Sequence, residues 1–323
     1  MTTPRTHHTE HRLEVAAPAR AVYELIVGVT EWPRIFPPSI HVERLDGSEN
    51  EERIRVWATA NNTVKTWTSR RELDAAGLRV RFRQEVSQPP VHGMGGEWII
   101  EERPGGCLVR LLHDFRAVGD DPENTAWITR AVDRNSDAEL AALRATAERG
   151  AGGDDELLLV FDDEVPVSAD PGEVYAFIRD GGQWDLRLPH VTRVVLEEPA
   201  PDIQLLEMDT RTKDGSVHTT RSVRVCFPTE RIVYKQLQPP ALMSAHTGRW
   251  TFRPSATGSG GVVASRHTVV INPAKVTGVL GAGATVADAR RFVRDALSAN
   301  STATIRAADT FAGGREQAVP SRG

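Results

Sequence analysis

The sequence predicts an α+β fold built twice, each copy a curved antiparallel sheet with one long C-terminal helix packed across it. Three observations carry this expectation. Trp32 and Trp98 recur as Trp184 and Trp250, and Tyr23 recurs as Tyr175, all at an interval of 152 residues, the mark of a duplicated unit. Each half runs in the order short strand, helix, series of strands, long helix. Helices do not alternate with strands, which disfavours a doubly wound parallel sheet.

The surroundings of the repeated residues agree. Val22-Tyr23 matches Val174-Tyr175, Phe36-Pro37 matches Leu188-Pro189, and Pro89-Pro90 has a counterpart in Pro239-Pro240. Asn135-Ser136 returns as Asn300-Ser301 at a larger offset, so the second copy carries an insertion after Trp250. The Gly-rich stretch from Pro273 to Ala284 is the expected place. This divides the chain into 1–150, expected to be the catalytic half, and 151–323.

In the first half, Arg12 to Val15 reads as a strand. Pro18 then opens a helix with Val22, Leu25 and Ile26 on one face, and Trp32-Pro33 ends the helical region. Strands follow near 41–45, 53–59, 64–73, 78–86, 96–101 and 107–115, separated by turn signals such as Asp46-Gly47 and Pro104-Gly105-Gly106. The last element, about 125–149, places Ile128, Val132, Leu140 and Leu143 at helical spacing. Residues 150–155 read as a linker. The second long helix is expected over about 285–310, stopped by Gly313-Gly314.

A chain of 323 residues gives each half enough length to bury a core without disulfides. Its two cysteines, Cys107 and Cys226, lie in apolar strand-like segments and read as buried thiols in a reducing compartment. The polar start of the chain does not resemble a signal peptide, and no window approaches the roughly 20 apolar residues that span a bilayer. A soluble, cytoplasmic protein is expected, with no membrane partner. Net charge −5 with interspersed arginines offers no basic stripe for nucleic acid.

Chemistry concentrates on the strand from Val64 to Leu73. Period-two alternation puts Trp67, Ser69, Arg71 and Leu73 on one face and Thr68, Arg70 and Glu72 on the other. The next strand places Val80, Phe82, Gln84 and Val86 opposite Arg79, Arg81, Arg83 and Glu85, so the charged face is the outer one and Arg71 points inward. An inward arginine is either ion-paired, with Asp114 the candidate partner, or faces a wet cavity.

The pattern Trp32-Pro33-x-x-Phe36, Trp67-Thr68-Ser69-Arg70-Arg71, Pro89-Pro90 leading to Met94 and Trp98, and Asn135 in the last helix resembles the aromatase/cyclases of bacterial type II polyketide synthases. The duplication is similar to their di-domain class. The resemblance implies a tandem helix-grip fold with a pocket between sheet and helix in each copy. It also implies cyclisation and aromatisation of the first ring of a poly-β-ketone carried by an acyl carrier protein and delivered by the ketosynthase complex. It casts Arg71 and Ser69 as catalytic, and Trp32, Phe36, Trp67, Met94, Trp98 and Asn135 as substrate-binding. A tyrosine of single-domain relatives falls at Ser39 here. An aldol closure needs a donor for the developing alkoxide, and dehydration needs a proton relay; neither requires a metal or a redox cofactor.

The second half departs from this pattern. In the strict 152-residue register Arg221 stands where Ser69 does and Val223 where Arg71 does; a one-residue slip pairs Arg70 with Arg221 instead. A second pocket is expected to draw on Trp184, Arg221, His246, Trp250 and Asn300, with Arg249 and His267 as further candidates. Gly281-Ala282-Gly283 lacks the third glycine of a dinucleotide fingerprint and reads as part of a mobile apolar flap over that pocket. His7, His8 and His11 read as a disordered tail. The competing function is a non-catalytic carrier for a hydrophobic small molecule, which the same fold supports.

Overall fold

A computed structural model describes residues 5–151, 155–211, 215–256, 258 and 260–318. The chain forms two compact units, Met1–Asp155 and Glu156–Gly323. The first contains β1 (His7–Val15), α1 (Ala19–Val27), α2 (Trp32–Ile35), β2 (Ser39–Gly47), β3 (Glu51–Ala60), β4 (Thr63–Asp74), β5 (Arg79–Val86), β6 (Val91–Arg103), β7 (Gly106–Ala117) and α3 (Pro122–Ala151). The second contains β8 (Leu158–Val167), α4 (Pro171–Arg179), α5 (Trp184–Arg187), β9 (Val191–Ala200), β10 (Ile203–Arg211), β11 (Val217–Phe227), β12 (Arg231–Gln238), β13 (Met243–Pro254), β14 (Gly261–Ile271), α6 (Val276–Leu280) and α7 (Val286–Ala318).

Each unit is one seven-stranded antiparallel sheet, ordered β1-β7-β6-β5-β4-β3-β2 and β8-β14-β13-β12-β11-β10-β9. The long helix grips the concave face, as the duplicated α+β pattern predicts. Local chemistry starts the helices. The Asp121 carboxylate accepts from the backbone N–H groups of Glu123 and Asn124 at 2.7 and 3.0 Å. Thr285 and Asp288 cap α7 reciprocally, at 3.0 and 3.2 Å between backbone N–H and partner side chain. Each such cap is worth about 1 kcal/mol.

Four local expectations change, the first being that α7 runs through Gly313-Gly314 to Ala318 instead of stopping there. His7 and His11 belong to β1, which alternates inner and outer residues and pairs along its length with β7. His7 stacks on Phe115 at 5.3 Å and His11 reaches Asp133 at 3.1 Å. The sheet edge supplies backbone partners that a polar segment cannot show in its composition. Trp32 opens the short helix α2 instead of ending the helical region. The insertion after Trp250 does fall between β14 and α7, but it is not part of the wall of the second unit's described cavity. Its helix α6 packs Val276 into a core cluster with Leu242, Ile271 and Val293, and none of its residues lines the cavity described below.

Candidate active site

The cavity of the first unit exists because the inner face of α3 changes character midway. Ile128 and Val132 pack on Phe115 and Ala117 at one end, and Leu140 and Leu143 pack on Val22, Ile26 and Val109 at the other. Between them, Asn135, Ser136 and Glu139 face a space the sheet does not fill. The same switch occurs in α7, where Asn300, Ser301 and Thr304 separate Val293 from Ile305 and line the second cavity.

On the sheet side, β4 turns Ser69 and Arg71 inward, 3% and 1% exposed, while Arg70 points out to Glu51. Arg71 is both cavity wall and ion-pair member, and its partner is Glu52, not Asp114. Glu52 sits directly across the β3–β4 ladder. Nη1 of Arg71 donates to its carboxylate at 2.6 Å and to the Val27 carbonyl at 3.4 Å, and Nη2 donates to the Ile26 carbonyl at 2.8 Å. Arg44 completes the network at 3.1 Å from the other Glu52 oxygen. Asp114 lies on the opposite face, held by Arg83 at 2.5 and 2.8 Å. Burial pushes Arg71 down to about 10 while Glu52 acts the other way, so the group stays cationic at neutral pH. Trp32 covers its plane at 5.1 Å, a cation–π contact.

The first cavity has two chambers with a partly shared wall. The inner one is walled by Trp32, Phe36, Trp67, Ser69, Arg71 and Trp98. The outer one is walled by Lys65, Trp67, Pro90, Trp127, Val132 and Asn135. Trp67, Gln84, Met94, His113 and Glu139 belong to both walls. The structure thus brings Trp32, Phe36, Trp67, Met94 and Trp98 around the Ser69–Arg71 pair. Asn135 stands apart in the outer chamber, its amide donating to the Thr59 carbonyl at 2.9 Å. Phe36 stacks on Trp98 at 6.4 Å, which makes the inner chamber a flat aromatic slot.

In the second unit Trp184, His246, Trp250 and Asn300 line one cavity, and Arg221 does not. Arg221 and Arg249 are exposed on the outer face. The inward guanidinium is Arg224, which donates to Ile178 at 2.5 Å and lies over Trp184 at 5.2 Å. These are the contacts Arg71 makes with Ile26 and Trp32. The β11 offset is therefore 153, because Ser222 and Arg224 replace Ser69 and Arg71; the strict register would turn Arg221 inward, and the considered slip turns it outward but sets Arg224 at the place of Leu73 instead of Arg71.

Beside Arg224 the wall is polar. Tyr234 Oη approaches His267 Nδ1 at 3.2 Å and His246 Nε2 at 3.5 Å, and the two rings meet at 3.1 Å. His267 Nε2 contacts Ser301 Oγ at 2.7 Å, and Ser301 donates to Leu297 at 2.8 Å. Burial holds His267 at about 4, lowers His246 well below its ordinary value with His267 adding to the effect, and raises Tyr234, so all three are neutral near pH 7.

Sequence reasoning missed Glu52, His113, Arg224 and the role of Tyr234. Glu52 carries a readable signal: it continues the inner alternation of Ile54 and Val56 on β3. His113 lines both chambers, its Nδ1 has no partner among the described residues, and burial lowers it to about 4.

The polyketide cyclase / dehydrase and lipid transport family matches residues 6–148 and again 167–299. An actinorhodin polyketide synthase bifunctional cyclase/dehydratase of Streptomyces coelicolor is 47% identical, covering 97% of this chain and 99% of its own length. A granaticin polyketide synthase bifunctional cyclase/dehydratase of Streptomyces virginiae is 46% identical, covering 92% and 97%. Among solved structures, the di-domain ARO/CYC BexL from the BE-7585A biosynthetic pathway is 53% identical with TM-score 0.83, covering 95% of this chain and 98% of its own. The di-domain ARO/CYC StfQ from the steffimycin pathway is 36% identical with TM-score 0.81, covering 96% and 99%. With two family repeats, two helix-grip sheets and relatives matched end to end, the chain belongs to the polyketide cyclase/dehydrase family as a di-domain aromatase/cyclase.

Proposed function

We propose that the inner chamber of the first unit is where a poly-β-ketone, carried by an acyl carrier protein, closes and aromatises its first ring. The observation that carries this reading is the buried Ser69–Arg71 pair at the end of an aromatic slot. Arg71 spends three N–H bonds on Glu52, Val27 and Ile26. Its Nε–H and second Nη2–H make no protein hydrogen bond among the described residues, and they are the donors for the ketone oxygen as alkoxide develops. Because Glu52 compensates the charge, Arg71 acts as a rigidly held donor instead of a free cation. Trp32, Phe36, Trp67 and Trp98 confine the chain to the folded conformer that brings enolate carbon and ketone together.

In the dehydration that follows, the proton removed from carbon leaves with the β-hydroxyl as water. Ser69 and neutral His113, both in the wall of this chamber, are the proposed relay for it. The outer chamber, walled by Lys65, Trp127 and Asn135, is the proposed entry for the thioester arm. Docking of the carrier protein and of the ketosynthase complex is assigned there, in the cytoplasm. No helix among the described residues is long and apolar enough to cross a membrane.

The test is product profiling of a reconstituted minimal polyketide synthase with wild-type protein, Arg71→Ala, Arg71→Lys and no addition. Wild type is expected to yield one aromatic product and Arg71→Ala the spontaneous mixture. Arg71→Lys, which keeps the charge on Glu52 but loses the fork, is expected to fold and to direct cyclisation poorly. Unchanged profiles in both variants would move the work from Arg71 chemistry to conformational templating by the walls.

A further inference from the structure

Three buried nitrogens on residues that line the second cavity lack a hydrogen-bond partner among the described residues: Trp184 Nε1, Arg224 Nη1 and His246 Nδ1. Their counterparts in the first unit are satisfied or absent. Trp32 Nε1 donates to Ile26 at 3.2 Å, Arg71 is paired with Glu52, and the place of His246 is taken by Met94.

The charge difference has one origin. Gln204 stands across the ladder from Arg224 as Glu52 does from Arg71, and Leu196 stands where Arg44 does. Gln204 is turned away from the guanidinium, donating to the Arg179 carbonyl at 3.2 Å and accepting from Cys226 Sγ at 3.7 Å. The neighbouring carboxylates, Glu198 and Asp202, are held by Arg179 at 2.7 and 3.4 Å. Arg224, 2% exposed, is thus a buried cation without a counter-charge among the described residues, a state that costs several kcal/mol unless an anion arrives. Its Nη1 lies only 2.6 Å from where a Cβ on Gly181 would stand, so a side chain there would press on the head group.

We infer that the second cavity is a binding site for a flat, delocalised oxyanion, the enolate of a cyclic 1,3-diketone or a phenolate, with Arg224 as its counter-ion. The chemistry of the wall selects this class. Trp184, Trp250, Leu206 and Met208 offer apolar faces to a ring system, which a small hydrated anion would not use. The neutral Tyr234–His246–His267 chain offers hydrogen bonds to further oxygens without adding charge. Among the described residues lining the cavity, Arg224 is the sole permanently charged side chain, so a phosphate dianion would meet one fixed cation there. The cyclisation chamber assigned above is a different cavity, so either assignment can fail alone.

The test is titration of the full-length chain with 2-naphthol, whose absorption separates phenol from phenolate, with 2-naphthoate in parallel. A site of this kind raises the phenolate-to-phenol ratio of bound 2-naphthol about tenfold over free solution at the same pH, one unit of pKa. Gln204→Glu, which restores the intramolecular carboxylate, is expected to abolish the rise while raising the unfolding temperature; Arg224→Met is expected to abolish it as well. Bound 2-naphthol that stays neutral, or a rise that survives both variants, overturns the inference. Arg224-dependent binding of 2-naphthoate alone overturns it in favour of a carboxylate site. Absence of binding overturns it too, leaving the three nitrogens to ordered water.

Discussion

The two halves share a backbone plan and differ in how each treats its buried arginine. In the first, Arg71 is neutralised by Glu52, covered by Trp32, and shares its chamber with Phe36, Trp67, Phe82 and Trp98. In the second, Arg224 keeps the same carbonyl and tryptophan contacts, loses the carboxylate and gains a Tyr–His–His chain. A duplicated fold therefore conserves the position of a charge more readily than its electrostatic state. Position is set by strand register, and state by one residue across the ladder.

The contrast is tested most strongly by removing that residue. Glu52→Ala leaves Arg71 unpaired at 1% exposure and is expected to destabilise the first unit by about 3–5 kcal/mol. Gln204→Ala, beside a guanidinium already unpaired, is expected to cost the second less than about 2 kcal/mol. Denaturant unfolding followed by hydrogen exchange in each unit reads both, and equal losses would break the comparison.

Acid separates the halves next. His113 and His267 are both held at about 4, chiefly by burial, against an ordinary 6.5. The unfolded chain binds more protons than the folded one between those values, so stability falls as pH is lowered from 6.5 towards 4, by on the order of 3 kcal/mol per ring. The second unit carries His246 as well, also lowered by burial and by His267, and is expected to unfold at the higher pH in an acid titration. Simultaneous unfolding would mean that His246 does not add to the proton uptake.

Symmetry should return in the core. Ile26 and Ile178 are both 0% exposed at equivalent places, and Ile26→Val and Ile178→Val are each expected to cost about 0.5–1.5 kcal/mol. The smallest effect is expected at Arg221. It is exposed on the outer face of β11, so Arg221→Ala is expected to change stability by less than about 0.5 kcal/mol and to leave the product profile unaltered. A changed profile would return it to the site.

The fold was legible because it rests on patterns local to the chain: recurring tryptophans, alternation in β4 and β5, and the two long amphipathic helices. Alternation likewise put Ser69 and Arg71 inside and Arg70 outside. Several site features were not legible for a common reason. The partner of Arg71 is 19 residues away in sequence, and the choice of Glu52 over Asp114 depends on which strand lies alongside β4. Likewise, a single-residue offset in β11 decides whether Arg221 or Arg224 points inward, and a period of two turns that offset into the opposite face.

The sequence by itself thus determined the duplication, the strand and helix order and the inward pair on β4, because these follow from spacing along one segment. Only the tertiary structure decided which charges are paired, where α3 and α7 leave space, and that Tyr234, His246 and His267 meet. Those outcomes depend on residues from separate strands converging within a few ångströms, and burial then sets the charge each one carries.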